Sequence, residues 1–291
     1  MPPEAPGRAG RDRAPSADRE EHWVEPDSGR RLFFRLWQPP KPRTLLVLAH
    51  GFAEHGGRYL PVAQALSTRG LAVAVPDLWG HGRSGGRRGD ASSVVQYVED
   101  LRRMTRDVFM PSAQAQRLAV YGHSFGGLLA LQWALRDPGA VSRLIVQSPL
   151  LALGFPVPAW KHATAEWLAR YWPTASIPIG LDPRWLSRNP EVVRAYQRDP
   201  YVHRQVSARL YHDMLQAGSW VAERAEALAV PTLVLYGEAD RVVSTDAVRG
   251  WARRLRSPHE TVAIPDAFHE LHHEPIADTI IQRIAEWADA A

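Results

Sequence analysis

The chain has 291 residues, 45% of them hydrophobic, which is enough to bury a large core in one domain. It contains no cysteine, which excludes disulfides, thiol catalysis and cysteine-ligated metal and favours a cytoplasmic location. The net charge of +4 comes without a nucleic-acid recognition motif, so nucleic acid is not an expected partner. No apolar run reaches the roughly 18 residues that a membrane-spanning helix needs.

Residues 1–21 are rich in proline, glycine, arginine and acidic residues and contain no apolar stretch. This composition predicts a disordered N-terminal tail and not a secretory signal. The folded domain is therefore predicted to span residues 22–291.

After the tail, short apolar runs alternate with helical patterns, which is typical of a mostly parallel sheet covered by helices. Residues 31–37 are predicted to form an antiparallel entry strand, and helices are predicted over 61–69 and 94–109. Central strands are predicted at 45–49, 71–75, 118–121, 144–146, 232–236 and 261–264.

The alternation stops after Pro149. From about 150 to 218 helical patterns dominate and no strand-like run occurs, which predicts a helical cap inserted between two strands of the sheet. Within the cap, residues 160–171 place apolar groups on one helical face. This face packs on the core or contacts lipid as a lid, and in the second case nearby arginines would meet anionic lipid: Arg184, Arg188, Arg194 and Arg198.

The pentapeptide GHSFG at 122–126 joins a predicted strand to a predicted helix. A serine in such a sharp turn is presented to a base that can remove its proton, and the glycines allow the close turn. Ser124 is therefore the predicted nucleophile of a serine hydrolase on an α/β fold.

A serine nucleophile in this architecture is followed along the chain by an acid and then a histidine. Asp240 comes just after a predicted strand, where such sheets place their chemistry, and is the predicted acid. His269 follows the last strand and is the predicted base. The rival acids are Glu238, Asp246 and Asp266.

The residues from His269 to His273 also match the zinc-protease pattern His-Glu-x-x-His. Two such histidines bind zinc only on one face of a continuous helix. Here the pattern directly follows a strand and Pro275 comes soon after it, so we expect neither a metal nor a cofactor.

The oxyanion of the reaction needs two backbone donors. One is the N–H of Phe125, after the nucleophile, and the other is the N–H of Phe52, in the loop after the strand at 45–49. Three more histidines lie beside glycines in loops and are interpreted as structural: His50, His81 and His123.

Eight longer motifs are spread along the chain: HGFAEHGGRY (50–59), DLWGHGRSGG (77–86), GHSFGG (122–127), SPL (148–150), LSRNP (186–190), YQRDP (196–200), GEADR (237–241) and HELH (269–272). Together they resemble the monoacylglycerol lipase family of α/β-hydrolases, and the likeness covers nearly everything after residue 25.

The resemblance implies the α/β-hydrolase fold and a cofactor-free hydrolysis of monoacylglycerols to glycerol and fatty acid. Ser124, Asp240 and His269 fall on the family's triad, and Phe52 and Phe125 fall on its oxyanion residues. The family's pocket for glycerol corresponds to Glu54, Arg58 and His272, with Tyr196 nearby on the cap. A structural ion pair between Glu54 and Arg58 is an equal alternative to substrate contact.

Other functions stay open at this level. A lysophospholipase or a general carboxylesterase would carry the same chemistry, and only the pocket residues distinguish them. A non-enzymatic binding protein of this fold would be expected to lack a triad member. The expected partner is a lipid ester, with peripheral membrane contact through the cap, and the sequence does not indicate an oligomeric state.

Overall fold

The computed structural model describes residues 19–25 and 29–290. These residues form ten strands: β1 (Arg19–Val24), β2 (Leu32–Trp37), β3 (Thr44–Ala49), β4 (Ala72–Pro76), β5 (Arg117–His123), β6 (Arg143–Gln147), β7 (Ser176–Pro178), β8 (Gln205–Ser207), β9 (Thr232–Gly237) and β10 (His259–Ile264). Eight of them make one sheet in the order β1-β2-β4-β3-β5-β6-β9-β10. The pairs β1·β2 and β2·β4 are antiparallel, and every pair from β4 to β10 is parallel.

Nine α-helices surround and cap this sheet in the described part of the chain: α1 (Leu60–Ser67), α2 (Val94–Met104), α3 (Met110–Ala113), α4 (Phe125–Arg136), α5 (Ala159–Tyr171), α6 (Pro190–Arg198), α7 (Ala208–Glu223), α8 (Thr245–Ala252) and α9 (Ala277–Asp289). No helix among the described residues is long and apolar enough to cross a membrane. A π-helical turn, Thr105–Phe109, joins α2 to α3. The helix predicted over 94–109 is thus regular only to Met104, because Pro111 disrupts the α-helical bonding of the turn before it.

The core has two layers, one on each face of the sheet. On one face, Leu45 and Val47 of β3 belong to the same apolar cluster as residues of α2, α4 and α8. On the other, Leu46 and Leu48 belong to a cluster with residues of α1 and α9. Side chains of a strand alternate between faces, and both faces are covered, so β3 is apolar from Leu45 to Ala49. The predicted α/β class with a mostly parallel sheet is confirmed.

The N-terminal boundary differs from the prediction. Residues 1–18 of the predicted tail lie outside the described residues, but Arg19–Glu21 belong to β1, so the tail prediction extends three residues too far. β1 is mostly exposed, forms one edge of the sheet and pairs with β2, with Glu21 opposite Arg35. Its mostly charged sequence gives no apolar signal, because a largely exposed strand has no buried face to produce an apolar pattern, and its order comes from pairing with β2.

The cap lies between β6 and β9 and contains α5, α6 and α7. It is not strand-free as predicted: β7 and β8 form a small antiparallel sheet in which Ile177 is paired with Val206. Strands of three residues are too short to show a period-2 pattern. Helix α7 continues to Glu223, beyond the predicted end near 218, and packs on α2 and α4 of the core.

Candidate active site

Ser124 lies in the sharp turn between β5 and α4. Its backbone has φ +54° and ψ −115°, a conformation that is strained for a residue with a side chain. A β-carbon at Gly126 would come within 2.0 Å of the Ala49 carbonyl oxygen, and one at Gly122 within 2.2 Å of the Gly126 oxygen. The two glycines are therefore required for the close approach that holds Ser124 at the carboxyl edge of the sheet.

Asp240 and His269 are hydrogen-bonded at that same edge. The Nδ1 atom of His269 lies 2.7 Å from Oδ2 of Asp240, whose Oδ1 accepts from the N–H groups of Val242 (2.8 Å) and Val243 (3.1 Å). Both side chains are buried. With Nδ1–H donated to Asp240, the free Nε2 of His269 is the basic nitrogen.

The rival acids lie away from His269. Glu238 and Asp246 both face Arg249 on α8, and Asp266 is exposed in a turn with φ +57°. Of the four acidic candidates, Asp240 is the one that is hydrogen-bonded to the imidazole of His269.

The charges of this pair stabilise each other. Burial lowers the pKa of His269, but the charge and hydrogen bond of Asp240, helped by Glu270 and Glu54, offset this effect and raise the pKa above its ordinary value. Burial raises the pKa of Asp240, but His269 and the two backbone donors offset this, and the pKa is lowered. Asp240 therefore stays ionised and favours the protonated form of the His269 imidazole.

The two predicted oxyanion residues, Phe52 and Phe125, both lie near Ser124: Phe125 follows it in the chain and Phe52 lines the same cavity. Phe125 is the first residue of α4, so its N–H lacks an intrahelical partner. Phe52 follows β3, and its ring packs edge-on against the ring of Phe125 with centroids 5.5 Å apart. The structure thus brings both predicted oxyanion residues to the nucleophile.

A cavity of about 800 Å³, counting the space open to solvent, lies between the sheet edge and the cap. Ser124 and His269 both line it. Polar side chains occupy one part of its wall: Glu54, His123, Tyr196 and Glu270. The rest is mainly apolar and comes largely from the cap: Leu150, Leu153, Phe155, Ile179, Leu181, Leu186, Val206, Tyr211, Met214, Leu215 and Val242.

Behind the polar wall lies a buried charge network. Arg58 donates to both oxygens of Glu270 at 2.6 and 2.7 Å and also to Glu54. The guanidinium lies 4.9 Å from the centre of the Tyr196 ring. Burial raises the pKa values of Glu54 and Glu270, but Arg58 together with neighbouring histidines offsets this effect, and both pKa values are lowered. Arg58 is thus an ion-pair partner of two carboxylates, as the structural alternative for Glu54 and Arg58 expected.

His272 is buried beside this network, not in the cavity wall. Its ring stacks on Tyr59 with centroids 4.6 Å apart, and its Nδ1 lies 2.9 Å from the amide nitrogen of Gln147. The same amide nitrogen lies 3.0 Å from Nδ1 of His123, whose ring packs 4.6 Å from that of His269. Of the four predicted glycerol residues, Glu54 and Tyr196 therefore face the cavity, and Arg58 and His272 lie behind it.

The zinc-protease pattern folds differently from a zinc site. Leu271–His273 is a short 3₁₀ turn, so His269 and His273 do not lie on one face of an α-helix. Ligand atoms of Glu270, His272 and His273 lie within 4.8 Å of one another, but both Glu270 oxygens already accept from Arg58. A cation there would compete with the guanidinium, so these residues fit a metal poorly.

Sequence reasoning missed three polar residues of the site. Glu270 was considered only within the zinc pattern, although it pairs with Arg58 across 212 positions of sequence. Gln147 ends β6 and bridges His123 and His272, a role with no local signal. His50 and His81 bond backbone groups as expected, but His123 also lines the cavity.

Comparisons with known proteins agree with this geometry. A family model described as "Serine aminopeptidase, S33" matches residues 40–276. The monoacylglycerol lipase of Mycolicibacterium smegmatis is 34% identical over 276 residues, covering 94% of this chain and 98% of that protein. The human monoglyceride lipase is 32% identical over 273 residues, covering 91% and 89%.

A solved structure extends the likeness to three dimensions. The monoacylglycerol lipase of Paleococcus ferrophilus superposes with a TM-score of 0.82 at 30% identity, covering 88% of this chain and 98% of that one. These matches confirm the resemblance to monoacylglycerol lipases. The chain therefore belongs to the α/β-hydrolase family described as "Serine aminopeptidase, S33", and monoacylglycerol lipases are among its relatives.

Proposed function

We propose that this protein is a serine hydrolase that cleaves monoacylglycerols to glycerol and a free fatty acid. Ser124 is the nucleophile, His269 the base and Asp240 the group that orients and stabilises the imidazole. The N–H groups of Phe52 and Phe125 bind the oxyanion. The hydrogen bond of 2.7 Å between His269 and Asp240, at the edge of the cavity that Ser124 lines, supports these roles.

The reaction has two halves. Ser124 Oγ attacks the ester carbonyl carbon while Nε2 of His269 takes the hydroxyl proton, and the carbonyl oxygen becomes an anion between the two N–H donors. The C–O bond to glycerol then breaks, and His269 gives its proton to the departing oxygen. Water attacks the acyl-enzyme with His269 again as base, which releases the fatty acid and restores Ser124.

The choice of a monoacylglycerol as substrate rests on the cavity lining, which includes both polar and apolar side chains. A monoacylglycerol has a hydroxylated head and an apolar chain joined at the ester. The cavity that Ser124 lines has both polar side chains, such as Glu54 and Glu270, and apolar side chains from the cap. A lipid ester with a small hydroxylated head matches both kinds of side chain.

Glu54 and Tyr196 contact the glycerol head from the cavity wall in this proposal. Arg58 and His272 act from behind, since Arg58 holds Glu54 and Glu270 in place and His272 packs on Tyr59. Their effect on substrate is indirect.

We also propose that the protein is cytoplasmic and meets membranes through α5. Three aromatic residues on this helix are exposed: Trp160 by 66%, Trp167 by 58% and Tyr171 by 62%. The face does not pack on the core, contrary to the first of the two interpretations. Lys161 and Arg170 lie beside these rings, as expected of an interfacial helix.

Three of the four arginines expected to meet lipid instead form ion pairs with acidic residues: Arg184 with Asp182, Arg188 with Glu274 and Arg194 with Glu191.

A hydrolysis panel tests the proposal. The unmodified protein and Ser124→Ala are compared on a monoacylglycerol, the methyl ester of the same acid and the matching lysophospholipid. We expect kcat/KM for the glyceryl ester to exceed that for the methyl ester by about tenfold, since hydrogen bonds to charged groups contribute about 1.5–3 kcal/mol. Equal rates on both esters indicate a general carboxylesterase, and faster lysophospholipid cleavage indicates a lysophospholipase.

A further inference from the structure

The cap touches the loop that carries Phe52. In the cap segment Asp199–His203, the backbone N–H of His203 donates to the carbonyl oxygen of Ala53 at 3.0 Å. The side chains of His55 and Asp199 meet at 2.9 Å between Nε2 and Oδ2. Because the Gly57 N–H donates to Nδ1 of His55 at 3.1 Å, Nε2 carries the proton and donates to Asp199.

The same segment also holds the ring of Phe52. This ring lies edge-on to three others, with centroids 5.5 Å from Phe125, 5.1 Å from His81 and 5.4 Å from His203. Phe125 and His81 belong to the core, and His203 belongs to the cap. Of these three ring contacts of Phe52, only the one with His203 comes from the cap.

The opposite end of the loop is fastened from the core. The Oε1 atom of Glu54 accepts from the Gly51 N–H at 2.7 Å and from the Tyr59 hydroxyl at 2.6 Å. Between these two attachments, Ala53 has φ +67°, a left-handed conformation that costs energy for a residue with a β-carbon. Such a conformation persists where surrounding contacts hold it, and His203 supplies one of them directly at Ala53.

We propose that the cap segment Asp199–His203 positions the Phe52 N–H for oxyanion binding, with His203 and Asp199 as positioning residues for hydrolysis. The inference rests on the proposed role of Phe52 in the oxyanion hole. Oxyanion donors act only when they point to where negative charge develops, and misplacement by about 1 Å is costly. The cap therefore supports the chemical step as well as forming the acyl-binding wall.

The test uses p-nitrophenyl acetate, whose acyl group is too short to need the apolar wall of the cap. We expect His203→Ala to lower kcat about tenfold with KM within about twofold, because the donor is misaligned and not removed. His203→Phe keeps the ring contact with Phe52 and should restore kcat to within about twofold. Asp199→Ala should lower kcat severalfold, while Asp199→Asn keeps an acceptor for His55 and should change it little.

A second measurement separates positioning from general loosening. A short trifluoromethyl ketone forms an oxyanion adduct with the serine, so its Ki should rise by the same factor as kcat/KM falls. Arg198→Ala, an exposed residue on the same part of the cap, is the matched control and should leave both values unchanged. Melting temperatures identify any variant that has lost its fold.

Unchanged kcat on p-nitrophenyl acetate in His203→Ala and Asp199→Ala would overturn the proposal. A loss seen only as higher KM for long-chain esters would also overturn it and leave these residues as part of the acyl site. A protein that cleaves p-nitrophenyl acetate through Ser124 but not monoacylglycerols would refute the proposed substrate and leave this inference intact.

Discussion

The sheet edge buries charged side chains, whereas the cap exposes both charged and aromatic side chains. At the sheet edge, Arg58 is buried with Glu54 and Glu270, and their side chains are 8%, 3% and 2% exposed. In the cap, the Arg184 side chain is 80% exposed and its pair with Asp182 lies in solvent. The cap instead exposes the aromatic face of α5. The sheet edge therefore holds its charged side chains in one buried arrangement, whereas the cap leaves charged and aromatic side chains exposed.

The largest effect that this contrast predicts is loss of turnover from changes at the sheet edge. Ser124→Ala and Asp240→Asn should each lower kcat by about 10⁴-fold, because the groups act as a unit and Asp240→Asn disfavours the active imidazole tautomer. Steady-state kinetics on a p-nitrophenyl ester measure this. Asp246→Asn and Asp266→Asn are controls and should keep near-normal rates. Normal turnover in Ser124→Ala refutes the mechanism.

The next effect concerns stability. Arg58→Met should destabilise the fold by about 3–5 kcal/mol, because it leaves two buried carboxylates without their cation. Arg184→Met, in the exposed pair of the cap, should leave stability unchanged within error. Urea unfolding of the two variants makes the comparison directly. Similar midpoints for both would mean that the buried network contributes no more than the surface pair.

The next prediction concerns the exposed aromatic face of α5 in the cap and its binding to vesicles. Replacing Trp160 and Trp167 together by serine should weaken binding to anionic vesicles by about tenfold, because each exposed indole supplies apolar area at the interface. Sedimentation with vesicles measures binding, and hydrolysis of p-nitrophenyl acetate should stay unchanged. A parallel loss of both would place the two tryptophans in the folding of the cap and not at a membrane.

The smallest predicted effect is on pH dependence. His269 must be neutral to act as base, and its pKa is raised, so kcat/KM should increase with pH through a midpoint above about 6.5. Glu270→Gln removes a buried negative charge that favours the protonated form, which should move the midpoint to lower pH. Glu166→Gln, an exposed change on α5, should not move it. A midpoint that Glu270→Gln leaves in place contradicts this account.

The contrast also explains what could be predicted from sequence. Ser124, its flanking glycines and the strand-end positions of Asp240 and His269 have local signals, since turn geometry and sheet edges follow from a few neighbouring residues. The network of Glu270 with Arg58 has none, because it joins residues 212 positions apart. Strand β1 has none either, because a mostly exposed strand shows no apolar pattern. The helical pattern of α5 identified an apolar face correctly, but periodicity does not reveal whether protein or lipid covers it.

Because some tryptophans of the cap are exposed and several of the core are buried, intrinsic fluorescence can report on the two regions separately. Trp160, Trp167 and Trp172 in the cap are more than half exposed, whereas Trp37, Trp133 and Trp251 are buried in the core. Acrylamide in water should quench the red-shifted emission of the cap indoles first and leave the blue-shifted emission of the core. Because the chain contains no cysteine, a single introduced thiol can add an energy-transfer acceptor without background labelling. Changes at the cap on addition of vesicles can then be followed separately from the emission of the buried core indoles.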